Sequence, residues 1–248
     1  MMNSMPESCE PSWSEVATWY DQLLDQGSGP HETAVACLLC LAPDTTGLSV
    51  LDIACGQGFA TRAVAGAGAK SVTGIDASPA MVDLARQRTD PGSPITYRVD
   101  DAQVLETCTD NEFDGATCQL GLMDIPDLSA TLASVHRVIK TGGWFAFVIG
   151  HPCFLAPNAT TFTDDQGRIG RFVHDYQHER FWRSPNPAGV RRVGNYHRTV
   201  STYLNALHRA MFIVEEAREP VAGPLLAEQQ PVYVELPIFF AVLARAIK

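Results

Sequence analysis

Short apolar runs alternate with helical patterns over the first 150 residues, and this alternation constrains the fold more than any other feature. Five runs predict strands, at 49–54, 71–76, 95–100, 113–119 and 143–150. Apolar residues with helical spacing lie between them, at 60–67, 79–88 and 128–139. Strands that alternate with helices are typical of a parallel sheet covered by helices, so we predict the α/β class. A chain of 248 residues has the length of one such domain, and we expect a single domain over 1–248.

Further segments flank and follow this pattern. Helical stretches at 12–24 and 31–41 predict an N-terminal helical cap over 12–42. After the fifth predicted strand, Pro, Gly, Asn and Asp mix with aromatic residues without a clear period. A long irregular segment in a compact domain is usually a cover or a binding loop, so 152–198 predicts an inserted lid that contacts a substrate and could contain helices of its own. A helix at 199–210 and strands at 211–217 and 236–246 are predicted to follow.

Charge and cysteine content exclude several kinds of partner. A net charge of −10 repels phosphate backbones, so we expect no nucleic-acid partner. No apolar run approaches the roughly 20 residues that span a bilayer, so we expect no membrane segment. Residues 1–11 include acidic residues and lack an apolar core, which predicts no signal peptide. The 7 cysteines lie in apolar contexts, which favours free thiols and a cytoplasmic location. The oligomeric state stays open, with a homodimer as one option.

The most specific motif lies where the first predicted strand meets its helix, at 50–61. Gly56 and Gly58 follow the strand, and glycine there tolerates strained φ angles and lets a ligand approach the backbone. An acidic residue, Asp76, follows Gly56 by 20 positions and ends the next predicted strand. A carboxylate at that strand end can accept hydrogen bonds from both ribose hydroxyls. Together these features predict a cofactor that contains a nucleoside.

Two other residues of the motif indicate which nucleoside cofactor binds. A dinucleotide-binding motif needs a third glycine near position 61, where this chain has Thr61. Asp52 lies four positions before Gly56, and a carboxylate there is a poor neighbour for a diphosphate but suits an ammonium group. S-adenosylmethionine (SAM) carries both an ammonium group and a cationic sulfonium. The combination therefore favours SAM over NAD.

At these residues the sequence resembles the class I SAM-dependent methyltransferases, in particular their broad bacterial small-molecule group, and the likeness extends from about Trp19 to Lys248. The resemblance implies a Rossmann-like fold with a seven-stranded, mostly parallel sheet whose last strand is antiparallel. It also implies a set of cofactor-binding residues. These are Asp52, Ala54, Gly56 and Gly58 around the methionine moiety, Asp76 and Ala77 at the ribose, Met81, Asp101 and Ala102 at the adenine, Gln119 near the methyl group, and Tyr20 closing over SAM.

Some of these residues also have a structural interpretation. Asp101 could cap a following helix, Met81 could belong to the core, and Tyr20 could fasten the N-terminal helices. The glycine pair at 142–143 belongs to a segment that resembles the family's turn before strand five. Here a helix stop and turn is favoured over a ligand contact.

Two pairs of residues have metal-ligand spacing without the rest of a metal site. Cys37 and Cys40 are spaced like half of a zinc site, but no second pair follows. They lie on an apolar helix, so we expect two buried thiols. His174 and His178 would share one face of a helix, and without a third ligand we interpret that face as solvated. We therefore predict no metal.

Two histidines are candidates for catalysis. His151 directly follows the fifth predicted strand, and ligands lie beyond the carboxyl ends of parallel strands. It is the first candidate for a general base or a substrate-orienting group, and His197 is the second. For both, a histidine bonded to the backbone at a turn is the alternative. Five arginines in the same region could bind an anionic group of a substrate or form a solvated surface: Arg180, Arg183, Arg191, Arg192 and Arg198.

The resemblance implies methyl transfer from SAM to a small-molecule methyl acceptor. We expect oxygen as the acceptor atom, with nitrogen or carbon as close alternatives. The aromatic residues of 152–195 favour a flat, partly apolar acceptor. Two other functions stay open: a SAM-binding enzyme of the same fold that catalyses a step such as cyclisation, and a non-catalytic SAM-binding partner subunit.

Overall fold

The computed structural model describes residues 12–187 and 189–248. Residues 1–11, where we predict no signal peptide, lie outside the described residues. The strands in these ranges are β1 (Ser49–Ile53), β2 (Ser71–Asp76), β3 (Ile95–Val99), β4 (Phe113–Gln119), β5 (Ile139–Gly150), β6 (Thr160–Thr163), β7 (Ile169–Phe172), β8 (Arg180–Trp182), β9 (Asn195–His197), β10 (Phe212–Arg218) and β11 (Phe239–Ala246). The helices are α1 (Trp13–Asp25), α2 (Gly29–Leu41), α3 (Phe59–Gly66), α4 (Pro79–Gln87), α5 (Leu128–Val138), α6 (Val200–Arg209) and α7 (Pro224–Gln229).

Seven of these strands form one sheet, in the order β10-β11-β5-β4-β1-β2-β3. The pairs β1–β2, β2–β3, β1–β4 and β4–β5 are parallel. β11 is antiparallel to both of its neighbours, β5 and β10. The predicted seven-stranded sheet with an antiparallel last strand is therefore confirmed. Because β1, β2 and β4 are parallel, the loops that follow them meet at one edge of the sheet.

Helices cover the sheet on both faces because the strands carry apolar side chains on both faces. One buried cluster packs α5 and α6 against the sheet, with Phe145, Phe147 and Leu132 among its members. A second cluster on the opposite face packs α2, α3 and α7, with Leu38 and Val64 fully or almost fully buried. Strands that are buried on both faces are typical of parallel sheets.

The helices begin at the capping residues that their sequences supply. Ser12 and Glu15 form a reciprocal capping box at the start of α1. Ser78 accepts a hydrogen bond from the Met81 amide, and Pro79 is the first residue of α4. Such side-chain caps satisfy amide groups that have no partner within the helix.

Two predicted boundaries in the sheet differ from the structure. The last strand begins at Phe239, three residues later than we expect, because a short 3₁₀ helix (Pro231–Val234) and Pro237 precede it. The expected turn at 142–143 lies within β5, which already begins at Ile139. Gly142 has a φ of +70°, and the β4–β5 pairing shifts register there, so the turn persists as an irregularity of the strand.

The described residues of the insert, 152–187 and 189–198, contain two pairs of strands and a short 3₁₀ helix (Val190–Arg192). β6 and β7 form one antiparallel pair, and β8 and β9 form a second. The predicted helical face with His174 and His178 is wrong: both residues lie outside regular helix, and His174 Nε2 is 3.1 Å from the Asn158 carbonyl. Within the described part of the chain, no three His, Cys, Asp or Glu side chains are grouped to hold a metal ion.

The paired cysteines of α2 differ in exposure. Cys37 is buried and Cys40 is exposed, so the expectation of two buried thiols is wrong for Cys40. Side chains three residues apart on a helix point in somewhat different directions. Cys37 therefore faces the sheet, whereas Cys40 faces solvent. Across the described ranges, no helix is both long and apolar enough to cross a bilayer.

Candidate active site

The loop between β1 and α3 has the strained backbone that its glycines permit. Gly56 and Gly58 have φ angles of +55° and +81°, and Ala54 has +51°. A Cβ atom on Gly58 would lie 2.3 Å from Tyr97 Oη, so any other residue there would have to displace the tyrosine side chain. The left-handed conformations turn the chain sharply after the strand. The turn leaves the backbone of this loop exposed to a ligand at the carboxyl edge of the sheet.

Asp76, the acid at the end of β2, fixes this loop. Its Oδ2 accepts the Gly56 amide at 2.9 Å, and its Oδ1 accepts the Ser78 amide at 2.9 Å. Burial raises the pKa of Asp76, and these two donors oppose that effect. A carboxylate oxygen can accept more than one hydrogen bond. Asp76 therefore keeps acceptor capacity for hydroxyl groups of a ligand.

A cavity of about 220 Å³, the main cavity, opens at this edge. Nine residues that the sequence predicts for cofactor binding line it: Tyr20, Ala54, Gly56, Asp76, Ala77, Met81, Asp101, Ala102 and Gln119. A smaller side cavity of about 40 Å³ adjoins it, sharing Tyr20, Ala54, Gly56 and Gln119. The predicted residues therefore lie together around one space, whereas Gly58 shapes the loop from outside the two lining sets.

The end of the main cavity near α4 combines apolar and acidic residues. Met81 is almost fully buried and also lines the cavity, so its two interpretations are compatible. Asp101 accepts hydrogen bonds from the amide and side chain of Gln103. The neighbouring Asp100 holds the following loop by accepting three backbone amides, those of Asp101, Glu106 and Thr107. Both acids therefore line the main cavity, and both also hold the loop that follows β3.

Asp52 lies behind the glycine loop and lines only the side cavity. Its Oδ1 accepts the Thr117 hydroxyl at 2.9 Å and its Oδ2 accepts the Thr61 hydroxyl at 2.6 Å. Burial raises the pKa of Asp52 to about 6, although both hydroxyls lower it. Thr61 lies where a dinucleotide-binding motif has its third glycine. In this chain its hydroxyl group donates a hydrogen bond to the Asp52 carboxyl group.

The N-terminal helix α1 covers the main cavity. Trp13 and Tyr20 both line it, and the sequence indicates only Tyr20. Arg88, the residue that follows α4, holds α1 through ion pairs with Asp21, at 2.6 Å, and with Asp25. The aromatic character of Trp13 is its only signal in the sequence, since nothing locally places it near the cofactor motifs.

The insert covers the other side of the main cavity through the loop 121–126. Arg191 Nη1 lies 3.1 Å from Asp124 Oδ1. The Arg198 guanidinium donates to the carbonyls of Leu122, Ile125 and Pro126. Arg198 is therefore a buried residue that holds the loop 121–126. Its guanidinium group is neither free to bind a substrate nor part of a solvated surface. Arg192 stacks on Trp19 of α1, with 3.9 Å from the guanidinium carbon to the ring centroid, so insert and N-terminal helix meet.

Asp124 is a cavity residue that the sequence analysis missed. Burial raises the pKa of Asp124 to about 7, and the nearby Arg191 opposes that rise. Asp124 follows Gln119, the last residue of β4, by five positions, and an acid so soon after the end of a parallel strand was an available signal. A carboxyl group that titrates near neutral pH can exchange a proton with a bound molecule.

His151 and His197 line a third cavity of about 20 Å³, the insert cavity, with Arg191, Asn195 and Tyr203. His151 Nε2 is 2.7 Å from Glu219 Oε1, and its Nδ1 accepts the Cys153 amide at 3.2 Å. His197 Nε2 is 2.8 Å from the Tyr176 carbonyl. Neither ring lines the main cavity, and the Asp124–Arg191 pair lies between the two spaces.

Comparisons with known proteins agree with this geometry. The family described as "Methyltransferase domain" matches residues 50–143. A crystal structure of a SAM-dependent methyltransferase from Mesorhizobium loti is 30% identical and has a TM-score of 0.75, covering 89% of this chain and 99% of that one. The chain belongs to the SAM-dependent methyltransferases.

Curated relatives of this methyltransferase match it over part of their length. A ubiquinone biosynthesis O-methyltransferase of Thiobacillus denitrificans is 36% identical over 102 residues, which is 41% of this chain and 44% of that protein. A demethylmenaquinone methyltransferase of Tropheryma whipplei is 36% identical over 150 residues, 58% of this chain and 61% of that protein. The chain thus spans less than two thirds of both relatives.

The methyltransferase cavity has the chemistry that SAM requires. SAM is cationic at its sulfonium and ammonium groups, and five carboxyl groups line the joined cavities: Asp52, Asp76, Asp100, Asp101 and Asp124. Gln119 Oε1 is buried and has no hydrogen-bond partner within the described ranges. An unpaired buried acceptor is costly, so a ligand donor at this position would stabilise the site. These residues fit the cofactor.

Proposed function

We propose that this methyltransferase transfers the methyl group of SAM to an oxygen atom of a small-molecule acceptor. The observation that carries the proposal is Asp124, a buried acid with a pKa near 7 on the wall of the main cavity. An acid near neutrality is required only where the acceptor enters with a proton, as a phenol or another alcohol does. Nitrogen or carbon acceptors are weaker candidates on the same argument.

The acceptor class we propose is a hydroxylated aromatic ring. Trp182, Tyr196 and Tyr203 lie around the insert cavity, whose volume of about 20 Å³ holds no more than about one water molecule, so in this proposal the insert moves to admit a ring between its aromatic side chains. The relatives named for ubiquinone and demethylmenaquinone support the same class, since both names refer to quinone chemistry. The basic side chain of Arg191 borders the acceptor side and suits an acidic substituent on the ring.

In this proposal the protein acts mainly by positioning. SAM, when bound, supplies an electrophilic methyl group. The loop 54–58 and Asp76 hold the cofactor, while the insert and α1 exclude water from above the cavity. Asp124 takes the proton of the acceptor hydroxyl, and Arg191 holds the resulting carboxylic acid in place. The catalytic roles of His151 and His197 stay predictions, and each could orient the acceptor from the insert cavity.

The cellular setting is part of the proposal. The six cysteines of the described ranges are free thiols, which supports a cytoplasmic protein. The net charge of −10 supports a small-molecule partner and no nucleic acid. A homodimer stays a prediction that sedimentation equilibrium tests.

The experiment is methyl transfer from methyl-labelled SAM to a panel of catechols and hydroxybenzoates, with labelled products identified by mass spectrometry. We expect O-methylated product with the wild-type protein and a loss of about 100-fold or more in the rate for Asp124→Asn, the usual range for removing a general base. Asp90→Asn, an exposed acid distant from the cavity, is the matched control. Full activity of Asp124→Asn with loss in His151→Ala or His197→Ala would transfer the role to a histidine.

A further inference from the structure

Three side chains of the N-terminal helices form a hydrogen-bonded chain beside the cofactor loop. Ser28 Oγ is 2.7 Å from His31 Nδ1, and His31 Nε2 is 2.6 Å from Tyr20 Oη. His31 is buried, and Tyr20 lines both the main cavity and the side cavity. The chain therefore connects the start of α2 to a hydroxyl group at the cofactor site.

The protonation of His31 determines which way this chain runs. Burial lowers the pKa of His31 to about 4, with a further contribution from Arg191, so the ring is neutral at neutral pH. A neutral imidazole donates from one nitrogen and accepts at the other. A phenol is more acidic than a serine hydroxyl, so Tyr20 donates to Nε2 and the Nδ1 proton goes to Ser28. Tyr20 Oη then offers only its lone pairs to a ligand.

The backbone carbonyl of His31 orients a second acceptor, the side-chain oxygen of Gln119, at the same two cavities. Gln119 Nε2 donates to the His31 carbonyl at 3.0 Å. A carbonyl only accepts, so the amide nitrogen must face it and Oε1 must point elsewhere. Oε1 is the buried atom without a partner in the described chain, and Gln119 lines the same two cavities as Tyr20.

We propose that His31 is a positioning residue that presents two oxygen acceptors, Tyr20 Oη and Gln119 Oε1, to the ammonium group of the cofactor's methionine tail. The inference rests on SAM being the cofactor of the proposed function. An ammonium group has three N–H donors and needs oxygen acceptors around it. Asp52 adds negative charge behind the same side cavity. A protonated histidine here would repel the ammonium group, whereas the buried, neutral ring does not.

The experiment compares two cofactor analogues by isothermal titration calorimetry. S-adenosylhomocysteine carries the amino-acid tail, and 5′-methylthioadenosine keeps the nucleoside and sulfur but lacks that tail. We expect His31→Phe to weaken binding of S-adenosylhomocysteine by about tenfold or more, and binding of methylthioadenosine by less than about twofold. His31→Gln, whose carboxamide reaches the position of Nε2, recovers most of the affinity. His208→Phe, at an exposed histidine of α6, is the matched control and changes neither.

Two further readouts separate positioning from a structural role. In the wild-type protein and in His31→Gln alike, the ratio of the two affinities falls below about pH 6, where Asp52 takes up a proton, because His31 itself is uncharged from pH 8 to pH 5.5. Tyr20→Phe should lower the ratio of the S-adenosylhomocysteine affinity to the methylthioadenosine affinity, as His31→Phe should. Tyr20→Phe therefore tests the inference if His31→Phe does not fold. Equal loss of both analogues in either variant would overturn the inference. Absence of binding by the wild-type protein would instead overturn the proposed function.

Discussion

Replacing Asp124 with asparagine tests the charge state on which the acceptor chemistry depends. Burial raises the pKa of Asp124 from 3.8 to about 7 in the folded protein, whereas the unfolded chain has the ordinary value. Below about pH 4 both states hold the proton. Between about pH 4 and pH 7 only the folded state holds it, so stability falls as the pH rises. Above about pH 7 the carboxyl group is ionised in both states, so its contribution to stability no longer changes with pH.

The size of the effect follows from the two pKa values. Each pKa unit corresponds to about 1.4 kcal/mol. Between pH 5 and pH 8 the unfolded carboxyl group is ionised throughout, while the folded one loses its proton only near the upper end. Integrating this difference gives a loss of roughly 2–3 kcal/mol in the free energy of unfolding. Asparagine does not titrate, so the variant does not suffer this loss.

Urea unfolding at pH 5, 6, 7 and 8 measures the effect directly. The free energy of unfolding of Asp124→Asn, relative to wild type, should rise by roughly 2–3 kcal/mol from pH 5 to pH 8. All other groups titrate in both proteins, so the difference isolates Asp124. Asp90→Asn should show a constant difference. If the free energy of unfolding of Asp124→Asn also differs from that of wild type by a constant amount, Asp124 is ionised across this range. That result would contradict its proposed role as proton acceptor.

Two further predictions concern the cofactor loop. Asp76→Ala should weaken SAM binding by roughly 1.5–3 kcal/mol in calorimetry, the range for losing a charged hydrogen-bond partner; unchanged affinity would refute the ribose assignment. Gly58→Ala should lower the free energy of unfolding by about 1–3 kcal/mol, because its Cβ would lie 2.3 Å from Tyr97 Oη at a φ of +81°. Gly66→Ala, in α3 with no atom within 4 Å of its Cβ, should instead gain about 0.5–1 kcal/mol in the same denaturation assay. Equal losses in both glycine variants would contradict the steric argument.

The parts of the site that the sequence predicts are those set by local geometry. Gly56 and Asp76 are joined by a hydrogen bond of 2.9 Å, and their spacing is visible because a strand–helix–strand unit has a nearly fixed length. The seven-stranded sheet with its antiparallel last strand follows instead from the resemblance to the methyltransferase family. Residues on the two predicted strand ends therefore come together without any knowledge of distant contacts.

The parts that escaped prediction depend on contacts across long stretches of sequence. Asp124 meets Arg191 over 67 positions, and Gln119 meets His31 over 88, and no local pattern encodes either pair. The insert is similar, since β9 is held by the hydrogen bond from the Tyr196 amide to the Met123 carbonyl as well as by β8. Short strands with such tertiary partners have no clear period of their own.

The bonds of Asp52 to Thr61 and Thr117 bear on how quickly and how tightly a cofactor can bind. They tie the start of α3 to β4 through Asp52, a residue of β1 that lines the side cavity. The bend is thus rigid before any molecule arrives, and little conformational entropy is lost at that point on association. The cofactor therefore binds to a loop that is already ordered, and more of its binding energy remains available for aligning the reacting groups.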